Sequence, residues 1–187
     1  MIKPGYTRIT DIIADREALS KIPKENLENA RLRGTRVDEL AKAYTLGLPA
    51  IAEREDDAGF FESFKLFAEN KLDSLVGGVR QYDDVLLLTG EPDFIYQENG
   101  LNVLLDIKCT AKESVTWKLQ AAGYDYLLEQ NGILIDRIEF ARLKKDGTKP
   151  VVYTYDKSHR PMFMNFYHRY IFLGKHKEEY EDYLRYI

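Results

Sequence analysis

The sequence predicts a mixed α/β fold, a sheet covered by helices, and three observations carry that expectation. The chain has 187 residues, enough for one domain with a real core and too few for two ordinary ones. Apolar residues recur at helical spacing up to about residue 75 and then alternate as in strands. One clear helical segment, 114–132, is flanked by strands on both sides, and such an order describes a sheet packed against helices.

In chain order, "TRITDIIADREALSKI" places Ile9, Ile12, Ile13 and Leu19 roughly on one helix face, and Pro23 closes the segment. A second helix is predicted through "NLENARLRGTRVDELAKAYTLG", interrupted or begun afresh near Gly34-Thr35, where Thr35 with Asp38 or Glu39 gives an N-cap signal. Gly47 and Pro49 end it. The third, from about Asp57 to Leu75, carries Phe60, Phe61, Phe64, Phe67 and Leu72 as a core stripe. Strands are predicted in "LVGGVRQY", "DVLLLTGEPDFIY" and "NVLLDIKCT", with "QENG" as a hairpin turn. The helix "SVTWKLQAAGYDYLLEQNG" follows, with Ser114 as N-cap and Gly132 just past its end. Two strands, "ILIDRIEFARL" and "PVVYTYD", are joined by the turn "KKDGTKP", and an aromatic-rich helical tail runs from Pro161 to Ile187. The single domain thus divides into a helical part, about 1–75, a sheet core, about 76–156, and a tail, about 157–187.

Composition excludes several classes. With 44% hydrophobic and 31% charged residues, the chain is neither disordered nor fibrous. No apolar run approaches the ~20 residues of a membrane span and the N-terminus has no apolar signal core, so a cytoplasmic protein with no membrane partner is expected. Cys109 is the only cysteine, which excludes an internal disulfide, a four-cysteine zinc site and a cysteine-ligated iron–sulfur cluster. Beside Lys108 it reads either as a reactive thiol or, with more weight, as a small buried strand residue. A net charge of -4 argues against coating nucleic acid by bulk charge, while leaving room for a local basic groove around an acidic centre.

The informative stretch is "TGEPDFIYQENGLNVLLDIKCTAK". Strand alternation puts Leu104, Asp106 and Lys108 on one face and Val103, Leu105 and Ile107 on the other. Pro92 cannot donate to a sheet ladder and marks an irregularity or a strand edge. A hairpin turning near Glu98 to Gly100 brings Asp93 and Asp106 together at one end of the sheet. Two neighbouring carboxylates repel unless a cation lies between them or one is protonated. Mg²⁺, with one or two protein carboxylates, waters and phosphate oxygens as ligands, suits such a pair. Lys108 is then placed to orient and activate a water for attack on a phosphodiester. The alternative, weighted about equally on spacing alone, is a structural Asp–Lys pair on a half-solvated strand.

The segments "GEPDFIY", "LLDIKCT" and "WKLQAAGYDYLL" resemble the PD-(D/E)xK nuclease clan, specifically its RecB-like and lambda-exonuclease-like branch of phage and recombination proteins. The resemblance covers roughly Arg31 to Gln130 and is strongest from Gly90 to Tyr124. It implies a restriction-endonuclease-like core, a mixed central sheet flanked by helices. It also implies Asp93 and Asp106 as ligands of Mg²⁺ or Mn²⁺, the carbonyl of Ile107 as a further ligand, and Lys108 as the catalytic lysine. The branch's Gln-x-x-x-Tyr signature is matched by Gln120 and Tyr124, which share a helix face. Its Gly-Thr-x-x-His helix start is matched only in part, with Asp38 where the histidine stands. Asp38 is either a metal ligand or a first-turn acid favoured by the helix dipole. The upstream glutamate of many relatives has no counterpart in "LVGGVRQYDD", and Glu69 and Asp73 are weak substitutes. Relatives with iron–sulfur clusters, those linked to CRISPR adaptation, are disfavoured, since one cysteine cannot hold such a cluster.

For DNA contact the candidates are Arg31, Arg33 and Arg36 around Gly34-Thr35, where guanidinium forks and backbone N–H groups suit a phosphate, or else form a solvated basic face. Lys112 and Lys118 are placed to flank a strand, and Trp117 either stacks on a base or belongs to the core. The expected function is a metal-dependent DNA nuclease, an exonuclease ahead of an endonuclease. The resemblance further implies a recombination or single-strand-annealing protein as partner, residence in the host cytoplasm if the chain is phage-encoded, and room for oligomers. The rivals are a catalytically inert DNA- or protein-binding member and a protein inhibitor built on the same fold.

Overall fold

The computed structural model describes residues 2–14 and 19–175. The predicted tail beyond 175 and the middle of the first predicted helix lie outside the described residues. Strand β1 (Thr7–Arg8) leads into the single turn α1 (Ile9–Ile12), the long helix α2 (Lys24–Thr45) and α3 (Glu55–Ala68). Strands β2 (Val76–Gly77), β3 (Gln81–Asp83), β4 (Leu88–Gly90), β5 (Phe94–Glu98) and β6 (Leu101–Lys108) follow. Helix α4 (Thr116–Gln130), strands β7 (Arg137–Arg142) and β8 (Val151–Tyr155), a short 3₁₀ turn (Lys157–His159) and helix α5 (Arg160–Lys175) complete the order. Among the described residues no helix is long and apolar enough to cross a membrane.

The larger sheet has five strands in the order β2-β5-β6-β7-β8, with β6 and β7 parallel and every other pair antiparallel. A smaller sheet runs β1-β4-β3. The hairpin β5–β6 closes through Asn99 and Gly100, at φ 52° and 80°, the left-handed pair that a two-residue type I′ turn requires. The parallel pair β6 and β7 needs a crossover, and α4 supplies it. Alternation along β6 sorts two cores. Leu104 packs with Trp117, Ala121, Tyr124 and Leu128 of α4 and Phe163 of α5. Val103, Leu105 and Ile107 pack with Val37 and Ala41 of α2 and Phe60, Phe61 and Phe64 of α3. The fold is mixed α/β, a mixed sheet flanked by helices.

Several boundaries differ from expectation, each for a local reason. Helix α2 is continuous through Gly34. Thr35 does not cap a new start; its hydroxyl donates back to the Arg31 carbonyl at 3.2 Å, as a threonine inside a helix does. Burial of Val37 and Ala41 against α3 outweighs the low helix propensity of one glycine. The run "DVLLLTGEPDFIY" is two strands in different sheets, parted where Pro92 interrupts pairing, and "LVGGVRQY" likewise divides between β2 and β3. Helix α3 ends at Ala68, with turns up to Leu75. Ser114 is not the N-cap of α4: that position is Val115, and Ser114 Oγ accepts from the Thr116 N–H at 3.3 Å. A strand, β1, also stands in the part expected to be helical.

A Cβ at Gly34 would meet nothing within 4 Å. Gly34→Ala should therefore stabilise the protein by about 0.5–1 kcal/mol through helix propensity, raising the melting temperature by about 2–4 °C. Thermal melts of the two proteins check this, and a lower melting temperature in the variant would contradict a continuous α2.

Candidate metal centre

Antiparallel register pairs Phe94 with Leu105, so one step further the start of β5 brings Asp93 level with Asp106 and Pro92 level with Ile107. Pro92 has no N–H to offer the ladder. Instead the Asp93 carboxylate accepts the Ile107 N–H through Oδ2 at 2.7 Å. The N–H and C=O of one strand residue point to the same side, so the Ile107 carbonyl also faces this interrupted edge. The Lys108 carbonyl, facing the other way, is taken by the Leu143 N–H at 2.9 Å. Gly78 holds the break in place: its N–H donates to the Asp93 carbonyl at 2.8 Å, and a Cβ there would lie 1.8 Å from the Pro92 carbonyl oxygen.

Asp106 is 2% exposed and points toward α4. Its Oδ1 accepts from Gln120 Nε2 at 3.2 Å, and the same amide donates to the Tyr124 hydroxyl at 3.0 Å. One helical turn separates Gln120 from Tyr124, which is why both reach the same point. Gly90 lets the Tyr124 ring come close, since a Cβ there would meet it at 2.8 Å. The Lys108 ammonium lies 2.5 Å from Asp106 Oδ2 and over the Phe140 ring. That is an ion contact without directed hydrogen-bond geometry, and Oδ2 is otherwise bare.

From the opposite layer, α2 brings Asp38 and Lys42 to the same end of the sheet. Lys42 Nζ lies 2.9 Å from Asp38 Oδ2 and 3.5 Å from Glu91 Oε1, while Arg80 holds Glu91 Oε2 at 2.7 Å. Asp38 Oδ1 is buried and accepts no hydrogen bond among the described residues.

The electrostatics follow from burial and crowding. Asp93 is held well above the ordinary carboxylate range, first by burial and then by the charges of Asp106 and Asp38. Burial also raises Asp106, against the pull of Lys108, and raises Asp38, against that of Lys42. The Tyr124 hydroxyl is pushed up by burial and by the two aspartates, so it acts as a neutral hydrogen-bonding group. A cation relieves such a cluster. Among the described residues no three carboxylate, imidazole or thiolate side chains already converge on one point. Two carboxylates and a free backbone carbonyl nonetheless meet the ordinary demand of Mg²⁺. Asp106 Oδ2, beside Lys108, and Asp38 Oδ1 accept no hydrogen bond among the described residues, so both residues have an oxygen to offer the ion.

The other candidates fall elsewhere. Trp117 is 4% exposed and packs on Phe140 and Tyr153, so its ring is core and not a stacking platform. Arg36 grips the buried Asp57 with two bonds, at 2.5 and 3.0 Å, and Arg33 donates to the Cys109 carbonyl at 3.2 Å and lies over Phe60. Both guanidinium groups brace α2 against α3 and the end of β6, because half-buried arginines must find local partners. Arg31 is exposed and paired with Glu28. Lys112 and Lys118 are exposed. Glu69 and Asp73 are exposed at the end of α3 and in the turn after it. Cys109 is half-buried one residue past the end of β6 rather than a buried strand residue, and partial burial pushes its thiol up to about 12, away from a reactive thiolate.

Glu91, Lys42 and Arg80 were not among the sequence candidates. Glu91 carried a weak signal, as a second acid two residues before Asp93 in the same "GEPD" turn. Lys42 carried one too, four residues after Asp38 on a helix. Arg80 had none.

No family model matches the chain, and no curated protein matches it. Among solved structures, "Crystal structure of SSO0001" is similar over 92% of this chain and 78% of that chain, at 12% sequence identity and a TM-score of 0.48.

A carboxyl raised on folding costs stability once pH exceeds its unfolded value of about 3.9, and the cost grows until the folded value is passed. In EDTA, Asp93→Asn should therefore be more stable than the wild type near neutral pH. The gain, read as a higher melting temperature, should shrink as pH falls toward about 4. Mg²⁺ or Mn²⁺ should raise the melting temperature of the wild type and leave the variant unmoved. Melts across pH with and without metal check this; a variant less stable than wild type in EDTA at neutral pH would mean that the Asp93 charge is stabilising.

Proposed function

We propose that the protein is a Mg²⁺- or Mn²⁺-dependent deoxyribonuclease on a restriction-endonuclease-like core. The observation that carries this reading is the meeting of Asp93, Asp106 and Lys108 at the interrupted end of β6, with Gln120 and Tyr124 bonded behind them. The Asp93 and Asp106 carboxylates and the Ile107 carbonyl would hold the ion, with Asp38 beside them, and the ion supplies Lewis-acid stabilisation of charge on the phosphoryl oxygens.

The remaining roles belong to the chain. Lys108 orients the attacking water and offsets negative charge gathering on the phosphate in the transition state. Gln120 fixes Asp106 through Oδ1, so that its second oxygen stays turned toward Lys108 and the substrate. Tyr124 holds the Gln120 amide in that orientation. As the water oxygen bonds to phosphorus, the phosphorus–oxygen bond to the leaving strand breaks; the water's proton passes to bulk solvent, and the leaving oxygen takes one proton from it.

Double- or single-stranded DNA is the substrate in this reading. The Gln120-x-x-x-Tyr124 pair favours exonuclease action, since it resembles the signature of the lambda-exonuclease-like branch. Exposed Lys112 and Lys118, on the loop and helix after β6, and exposed Arg31 remain the candidates for backbone contact. Cytoplasmic work beside a recombination or annealing protein, in a host cell if the gene is a phage's, fits that chemistry.

End-labelled linear DNA and closed circular DNA, each single- and double-stranded, should be incubated with Mg²⁺, Mn²⁺ or EDTA. The expected result is metal-dependent loss of linear DNA alone, reduced by at least about 10²-fold in Asp106→Ala and in Lys108→Ala. Cutting of circles makes the enzyme an endonuclease. No cleavage under any condition, or full activity in both variants, overturns the nuclease reading.

A further inference from the structure

We propose that the Lys42 ammonium takes the place of a second cation, so that the centre binds a single divalent ion. This rests on the metal-dependent reading above and deepens it. Carboxylates approach from two layers: Asp93 and Asp106 from the sheet, Asp38 from α2, and Glu91 from the segment between β4 and β5. With Asp93 and Asp106 given to one ion, a second would depend on Asp38 and Glu91. The Lys42 Nζ, however, already bridges Asp38 Oδ2 at 2.9 Å and Glu91 Oε1 at 3.5 Å. The Arg80 guanidinium takes the other Glu91 oxygen at 2.7 Å. Glu91 is thereby committed to two fixed cations, and neither carboxylate of that pair has both oxygens open to an incoming ion.

Lys42 is built into this position. Its side chain is 28% exposed, and its stem runs beside β2, where a Cβ at Gly77 would stand 3.9 Å from Lys42 Cγ. Asp38 and Lys42 lie one helical turn apart on α2, so the helix itself sets their pairing. Two oxygens accept no hydrogen bond among the described residues and remain for a single ion: Asp106 Oδ2, which has only the Lys108 ammonium beside it, and Asp38 Oδ1, which Lys42 leaves free.

Charge counting agrees. Four carboxylates, Asp38, Glu91, Asp93 and Asp106, face three cations, Lys42, Arg80 and Lys108, leaving one negative charge. One divalent ion turns that into one positive charge, which a single phosphodiester neutralises. Two ions would leave an excess that the substrate cannot match.

Mn²⁺ titration of the full chain without DNA, read by electron paramagnetic resonance of the free ion and by calorimetry, tests this. The wild type should bind one Mn²⁺ per chain. Lys42→Met, which keeps the stem and removes the charge, should bind two, the second between Asp38 and Glu91. Lys42→Gln, which also keeps a hydrogen-bond donor, should do the same and guards against a folding defect peculiar to Met. The double variant Asp93→Asn, Asp106→Asn should lose the wild-type site. Two ions in the wild type, or one ion in both folded Lys42 variants, would overturn the role given to Lys42 while leaving the metal-dependent reading intact. No binding to the wild type would overturn both.

Discussion

The hydrogen bond from the Ile107 N–H to the Asp93 carboxylate, at 2.7 Å, is the contact on which the rest of the site depends. A sheet edge interrupted inside a protein must satisfy its backbone groups by some other means. Pro92 makes the interruption by lacking an N–H, and Asp93 repairs half of it by accepting the bond a strand partner would have taken. The other half, the Ile107 carbonyl, is left facing the same gap. One break in one ladder thus yields a carboxylate, a backbone oxygen and, from the adjacent residues of β6, the side chains of Asp106 and Lys108.

Such an arrangement is costly without a counter-ion, because burial pushes Asp93, Asp106 and Asp38 toward protonation and neighbouring carboxylates add to it at Asp93 and Asp38. The surroundings pin it in place. Gly78 and Gly90 admit contacts that any side chain would block, with the Pro92 carbonyl and the Tyr124 ring respectively. Helix α4, whose Gln120 steadies Asp106, is tied to α5 through Arg160, which donates to the buried Asp125 at 2.7 Å.

The sequence made some of this legible and hid the rest, for reasons visible in particular residues. Strand period two was enough to put Asp106 and Lys108 on one face of β6, and the Asn99-Gly100 turn set the register that brings Asp93 level with Asp106. The i, i+4 spacing of Gln120 and Tyr124 was enough to align them. Tertiary partners were not readable in the same way. Arg33, Arg36 and Trp117 look like nucleic-acid contacts in one dimension, and only packing shows that a carbonyl, the buried Asp57 and two aromatic rings already occupy them. Gly34 suggests a helix break by local propensity alone, and the burial of Val37 and Ala41 one turn on overrides it. Arg80 reaches Glu91 from a neighbouring loop, a long-range pairing that carries no local pattern.

The most direct test of the site is a crystal structure of the wild-type protein grown with Mn²⁺, with anomalous scattering used to locate the ion. The expected result is one peak at the end of β6, about 2 Å from oxygens of Asp93, Asp106 and the Ile107 carbonyl, with Lys42 still bridging Asp38 and Glu91. A map with no peak there, or with the ion bound elsewhere while Asp106 stays paired to Lys108 as in a purely structural salt bridge, would contradict the metal centre and the nuclease reading built on it.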